Sequence, residues 1–215
     1  MRLYHLLKTY YHITKSELDS FLKENDVRVN NSLVSLSYLV LDLDIVTVNN
    51  QIISPPEKVI YLYHKPRGIT SIISKRNDSY IHHINVDERV FPAGRLDKDS
   101  EGLLLLTNDH YLLDEITKDK TLYDKEYIVT TKYEIKDDFL KNLEHPQYLG
   151  NRLTKECKTK KIDSYTFSII LYEGMYHQIR RLVKNNGNMV VRLKRIRIGN
   201  YKLDNLKENE IIKIT

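Results

Sequence analysis

Residues 94–109 read GRLDKDSEGLLLLTND. Four consecutive leucines, Leu103–Leu106, bounded by polar turn residues predict a short buried strand. The polar residues ahead of them, Arg95 to Glu101, then lie on a loop anchored directly to the core. That placement suits a reactive carboxylate, because a rigid strand fixes the loop while the loop leaves a cleft open for substrate. A surface turn carrying ordinary solvated charges accounts for the same string.

Composition narrows the class. The 215 residues suffice for one domain of ordinary size plus a small one. With 41% hydrophobic and 29% charged residues the chain reads as soluble and globular, with no segment disordered by composition. No apolar stretch reaches the roughly 18 to 20 residues that span a bilayer. The N-terminus, MRLYHLLKTYYHITK, has no apolar core followed by a small-residue cleavage site, so no secretion signal is expected. Cys157 is the only cysteine, which excludes an internal disulfide and a cysteine-based zinc site and fits a reducing cytoplasm. The histidines are adjacent (His82, His83) or scattered without ligand spacing, so no metal site is expected.

A net charge of +5 permits a polyanionic partner, and its distribution says more. Residues 1–54 carry five basic and six acidic side chains, leaving 29 basic and 23 acidic for the rest. The surplus therefore belongs to the larger segment. It is densest at Arg192, Lys194, Arg195 and Arg197, with Arg180, Arg181 and Lys184 upstream.

The chain divides at Ser54-Pro55-Pro56, since two prolines fit neither a helix interior nor a central strand. Ahead of this break Leu3, Leu6 and Leu7 show helical spacing. Thr14 and Glu17 have the spacing of a capping box before Leu18, Phe21 and Leu22. Alternation follows at Val27 and Val29, then a turn at Asn30-Asn31, and residues 38–48 (YLVLDLDIVTV) read as another strand. The expected division is 1–54, a linker at 55–58, and a larger domain over 59–215.

In that larger part, a strand over Val59–Tyr63 runs into the basic turn Lys65-Pro66-Arg67-Gly68. Lys125-Glu126-Tyr127-Ile128-Val129-Thr130 alternates like a strand. A strand over Phe167–Leu171 ends at Glu173-Gly174 and passes through Tyr176-His177-Gln178 to a helix with Ile179, Leu182 and Val183 inward. Near the C-terminus Val191, Leu193, Ile196 and Ile198 alternate with basic residues, predicting one or two strands with a charged face.

The GRLD string with its leucine strand, the KPRG turn, the K-x-Y strand and His177-Gln178-Ile179-Arg180 together resemble the signature of the bacterial pseudouridine synthases, in the branch that modifies ribosomal RNA. The resemblance covers nearly the whole chain. Residues 1–54 are similar to the small RNA-binding module shared by a ribosomal small-subunit protein and tyrosyl-tRNA synthetases, although the second helix here is poor in arginine. The implied fold is α+β: a small N-terminal α/β RNA-binding module plus a larger catalytic domain on a mainly antiparallel mixed β-sheet with flanking helices. The resemblance implies that Asp97 is the catalytic aspartate, that Tyr127 stacks on the target base, and that Arg180 pairs with Asp97. Arg95, Lys65, Arg67, His177, Gln178 and Arg181 are the candidate RNA-binding residues.

The implied reaction turns uridine into its carbon-linked isomer. It involves no redox change and no external nucleophile, so no cofactor is expected. The expected partner is ribosomal RNA or a pre-ribosomal particle, met by a cytoplasmic monomer. Tyr176-His177-Gln178 and the Gly199-terminated LKRIRIG string lean towards small-subunit 16S RNA, with large-subunit RNA as the alternative. Two other classes stand beside this reading. A glycoside hydrolase would pair Asp97 with Asp99 or Glu101, but the chain has no tryptophan for sugar stacking. A non-catalytic RNA-binding assembly factor would be expected to lack Asp97, Tyr127 or Arg180.

Overall fold

A continuous apolar run is stable only where both faces of its strand are covered, and residues 103–106 meet that condition. The computed structural model describes residues 1–41, 43–54, 56–118 and 121–214. Its N-terminal part holds helices α1 (Leu3–Tyr10) and α2 (Leu18–Glu24), then a three-stranded antiparallel sheet of β1 (Val27–Val29), β2 (Val46–Val48) and β3 (Gln51–Ile53). These elements bury their own cluster, including Leu3, Leu6, Leu7, Leu18, Val29, Val46 and Ile53. The Thr14–Glu17 pair forms, with the Glu17 carboxylate accepting from Thr14 N–H and hydroxyl at 2.7 Å each, but in a turn that precedes α2. Of the strand expected over 38–48 only 46–48 is regular. Asn30 Oδ1 takes the Ile45 N–H and Asp44 takes that of Leu41, holding the preceding chain as a loop. Asp42, inside that stretch, and Pro55, at the expected break, lie outside the described residues.

The larger part runs β4 (Ile60–Lys65), β5 (Phe91–Ala93), β6 (Glu101–Thr107), α3 (His110–Thr117), β7 (Lys125–Thr131), α4 (Asp137–Glu144), β8 (Tyr148–Leu149), β9 (Arg152–Leu153), β10 (Lys158–Lys161), β11 (Thr166–Leu171), α5 (Gln178–Asn185), β12 (Val190–Ile198), β13 (Tyr201–Lys202) and β14 (Ile211–Lys213). Among the described residues one sheet has the order β10-β11-β7-β12-β6-β4-β14, with β5 on β6 and β13 on β12. Every pairing is antiparallel except that of β12 with β6. Leu103 and Leu105 face α3 through Leu112 and Ile116, while Leu104 and Leu106 face Tyr61, Tyr63, Tyr80 and Val90. The α4 and α5 helices cover the other end of the sheet, where Phe139, Leu143, Ile179, Leu182 and Val183 meet Val129, Phe167 and Ile169. The fold is α+β on a mainly antiparallel mixed sheet.

The connection between the two parts is pinned. Asn108 accepts from Val59 N–H (2.9 Å) and donates to Glu57 O (2.8 Å). The N-terminal part also touches the larger one directly. Arg89 Nη1 donates to Lys8 O and Ile13 O at 3.0 and 3.2 Å, and the His5 ring stacks on His110 at 3.7 Å. Burial and the neighbouring His110 push His5 down to about 4, and burial likewise lowers His110. No helix among the described residues is long and apolar enough to cross a membrane.

Candidate active site

Asp97 stands on the loop between β5 and β6, and its backbone is clamped from three sides. The Ser71 hydroxyl donates to Leu96 O at 2.9 Å and accepts from Leu96 N–H at 3.1 Å. Lys98 O accepts from Gly68 N–H at 2.8 Å, and Asp97 O accepts from Ser100 N–H at 3.0 Å. The KPRG turn thus supports the GRLD loop, which joins two sequence elements 30 residues apart. The Asp97 side chain, 36% exposed, opens on a cleft of about 520 Å³ whose walls include Tyr127 from β7 and Met175 and His177 from the turn before α5.

His177 Nε2 lies 3.5 Å from Asp97 Oδ1, the nearest basic group to that carboxylate among the described residues. The His177 backbone is left-handed, with φ of 50°. A non-glycine residue adopts that region at a cost, held there by its surroundings. Tyr176 stacks on the imidazole with centroids 4.0 Å apart and planes inclined by 14°.

The residue that sequence reasoning missed is Arg195. Although charged, it is 1% exposed. Its guanidinium donates to Leu103 O (2.8 Å) and Gly94 O (2.9 Å), with Arg95 O at 3.5 Å. Two of those carbonyls belong to the GRLD loop, so Arg195 holds the loop from below. Burial works against its charge, and Tyr127 and Asp97, which line the same cleft, work for it. Arg195 pairs across the sheet with Tyr127 on one side and Gly102 on the other. A Cβ at Gly102 would lie 2.2 Å from Arg195 O, and Gly102 has φ of +106°, so only glycine fits.

Why Arg195 points inward follows from the pleat. Leu193 is buried, and side chains two apart share a face, so the next inward position is 195 and not 196. A bulge between Arg195 and Arg197 then resets the phase and brings Ile198 inside. The expected charged face is therefore interrupted. Its other arginines are also engaged within the fold, Arg192 on buried Glu101 at 2.6 Å and Arg197 on Asp124 and Glu126. With Glu101 committed to Arg192, it does not supply the second carboxylate that a glycosidase pairing would require.

The other expected positions divide. Arg180 does not pair with Asp97. Its Nη2 donates to Asp99 O (3.0 Å) and Ser100 Oγ (3.2 Å), because α5 brings the guanidinium against the far limb of the turn. Lys65 is fully buried and cannot meet RNA there, since its Nζ donates to Pro66 O and Ile69 O at 2.7 Å each and shapes the KPRG turn. Burial, reinforced by Arg195, pushes the Lys65 ammonium down to about 8. Gln178 is likewise buried and structural, accepting from Met175 N–H at 3.0 Å and donating to Glu173 Oε1 at 2.8 Å. Arg181 is half-buried with Nη1 3.5 Å from Tyr176 O. Arg67 and Arg95 are exposed, and Arg95 lines the cleft.

Comparison with known proteins bears on the family and the fold. Residues 59–185 match the RNA pseudouridylate synthase family. The chain is 34% identical over 201 residues to the dual-specificity RNA pseudouridine synthase RluF of Salmonella typhi, covering 92% of this chain and 70% of that protein. An uncharacterised RNA pseudouridine synthase of Aquifex aeolicus is 35% identical, over 100% of this chain and 93% of that one. The ribosomal large subunit pseudouridine synthase B of Bacillus subtilis is 30% identical over 85% of this chain and 79% of its own length. A solved crystal structure of a pseudouridylate synthase superposes with a TM-score of 0.70 at 27% identity, covering 100% of this chain and 96% of that one. On these matches the chain belongs to the RNA pseudouridylate synthase family.

Proposed function

We propose that this enzyme isomerises uridine in large-subunit ribosomal RNA, with Asp97 acting at the sugar of a flipped-out nucleotide. The observation that carries the reading is the Asp97 carboxylate, open to a cleft of about 520 Å³ on a backbone clamped by Ser71, Gly68 and Arg195. The bond from the anomeric carbon to base nitrogen 1 breaks, the base turns in the cleft, and carbon 5 bonds to the anomeric carbon. The proton on carbon 5 is then lost and nitrogen 1 gains one, so no atom is added overall. A carboxylate serves the first step as nucleophile at the anomeric carbon or as base on the sugar. Flipping the nucleotide costs a few kcal/mol, and stacking on Tyr127, worth about 1 to 3 kcal/mol per base, offsets part of it.

The small-subunit expectation rested on one or two residues around Tyr176-His177. The Bacillus subtilis relative, whose name specifies the large subunit, favours the alternative. Residues 1–54 act here as an RNA-facing module of weak phosphate affinity. Arg28 is tied to Asp26 at 2.8 Å and the exposed Arg2 donates to Ser37 O at 2.7 Å, so phosphate contact by this module rests mainly on the exposed Lys15 and Lys23. Phosphate contact in the larger part falls to Arg67 and Arg95, and the enzyme works as a monomer.

Mapping pseudouridines in ribosomal RNA from cells with and without this protein tests the reading. The expected result is a site missing from large-subunit RNA and restored by the wild type. Asp97→Asn should bind RNA within about a few-fold of wild type yet give no turnover. A missing site in small-subunit RNA reverses the choice of subunit, and appreciable turnover by Asp97→Asn removes the role given to that carboxylate.

A further inference from the structure

We propose that the outer face of Tyr176 is a stacking platform for the nucleobase next to the flipped uridine. The inference rests on the uridine-isomerising reading of the cleft. Tyr176 is 76% exposed, above the other large exposed tyrosines among the described residues, yet it stands at the cleft and not on a remote surface. One face of its ring is already covered by His177, nearly parallel and 4.0 Å away, which fixes the plane of the other face. His177 in turn reaches Asp97 at 3.5 Å, so the platform lies one ring beyond the reacting carboxylate. Its left-handed backbone, unusual for a residue with a Cβ, is what sets the two rings side by side at the cleft mouth.

Extruding a base leaves its neighbour in the strand with an uncovered face. An oriented aromatic ring beside the cleft replaces that lost stacking, and any base can use it because every base has a π-face. An apolar partner protein is the poorer fit. The ring rests on His177 at a cleft that Arg95 also lines, and these suit a polyanion carrying aromatic bases.

The test uses the full-length enzyme and a ribosomal RNA fragment spanning the uridine found by mapping. The fragment carries 2-aminopurine on its 5′ or 3′ side. With wild type and with Tyr176→Phe, one of the two probes should be quenched on binding, and the Michaelis constants should agree within about twofold. With Tyr176→Ala the quench should disappear and the Michaelis constant should rise about tenfold or more, with kcat little changed. Quenching and Michaelis constant unaltered in Tyr176→Ala would overturn the platform while leaving the enzyme reading intact. A loss in Tyr176→Phe equal to that in Tyr176→Ala would overturn it too, because the hydroxyl would then matter and the ring face would not. Failure to find any modified uridine overturns the enzyme reading and this inference with it.

Discussion

Gly102→Ala should damage both stability and catalysis, and the size of the effect follows from the β6–β12 contact. The added methyl carbon would lie 2.2 Å from Arg195 O and 2.7 Å from Arg195 N, where ordinary contacts begin near 3.4 Å. Both obstacles are backbone, so the strands must part by about 1 Å. Holding a non-glycine residue at φ +106° costs on the order of 1 to 3 kcal/mol. Loosening the parallel pairs Lys194–Glu101 and Arg195–Gly102 adds about 1 kcal/mol per hydrogen bond. The expected total is about 3 to 5 kcal/mol, which for a chain of this size lowers Tm by roughly 10 to 15 °C. Arg195 also anchors the carbonyls of Gly94 and Arg95, so the Asp97 loop shifts with it. At a temperature where the variant is still folded, kcat should fall by about a hundredfold, the effect of a misplacement near 1 Å. Circular dichroism melts and single-turnover kinetics measure the two quantities. A Tm within about 3 °C of wild type with kcat within about twofold would refute the steric reasoning.

Arg195→Lys keeps a charge but cannot span three carbonyls, so kcat should fall about 10- to 100-fold while the Michaelis constant for RNA stays nearly level. A parallel rise in the Michaelis constant would point to direct RNA contact instead. Lys65, near 8 in the fold against 10.5 unfolded, binds its proton more tightly in the unfolded chain. Its contribution to stability should therefore rise between pH 8 and 10.5, and urea titrations of Lys65→Met should lack that rise. Above pH 10 the tyrosines Tyr61 and Tyr63, pushed up to about 12 chiefly by burial, act in the opposite sense. His5, lowered from 6.5 to about 4, is protonated first in the unfolded chain, so the α1 contact should weaken as pH falls from 6.5 towards 4. Hydrogen exchange in α1 should report this in wild type and show a smaller pH dependence in His5→Phe.

The leucine strand, the K-x-Y strand and the helix after His177 were legible because each carries its own period or turn chemistry. Leu103 to Leu106 are buried on both faces as a continuous run requires, and Ile179, Leu182 and Val183 are the inward face of α5. Asp97 and Tyr127 carry no such signal of their own: only the resemblance to the family singles them out, and the structure sets both on one cleft. What stayed hidden depends on partners distant in sequence. Lys65 and Arg195 look like surface cations until the carbonyls that receive them are in place, and the register shifts of β12 against β7, at Val190/Arg192 and Arg195/Arg197, break the simple alternation of the strand. Arg180 meets Asp99 O and Ser100 Oγ, two and three residues beyond the expected Asp97, a distinction set by the placement of α5 and not by local pattern. His110, which the sequence shows only as a scattered histidine, packs between the rings of His5 and Phe91.

The order β7-β12-β6 has a consequence for how the enzyme comes to be active. Asp97 is delivered by the loop ahead of β6 and Tyr127 by β7, yet among the described residues these strands share no ladder and are bridged in the sheet by β12, almost a hundred residues beyond Asp97. During synthesis the two walls of the cleft therefore lack the ladder that registers them until residues 190–198 have emerged and inserted between them. Such a late, non-local insertion is slow to close. A nascent chain that already displays Asp97 thus has no assembled site with which to act on the abundant RNA around it.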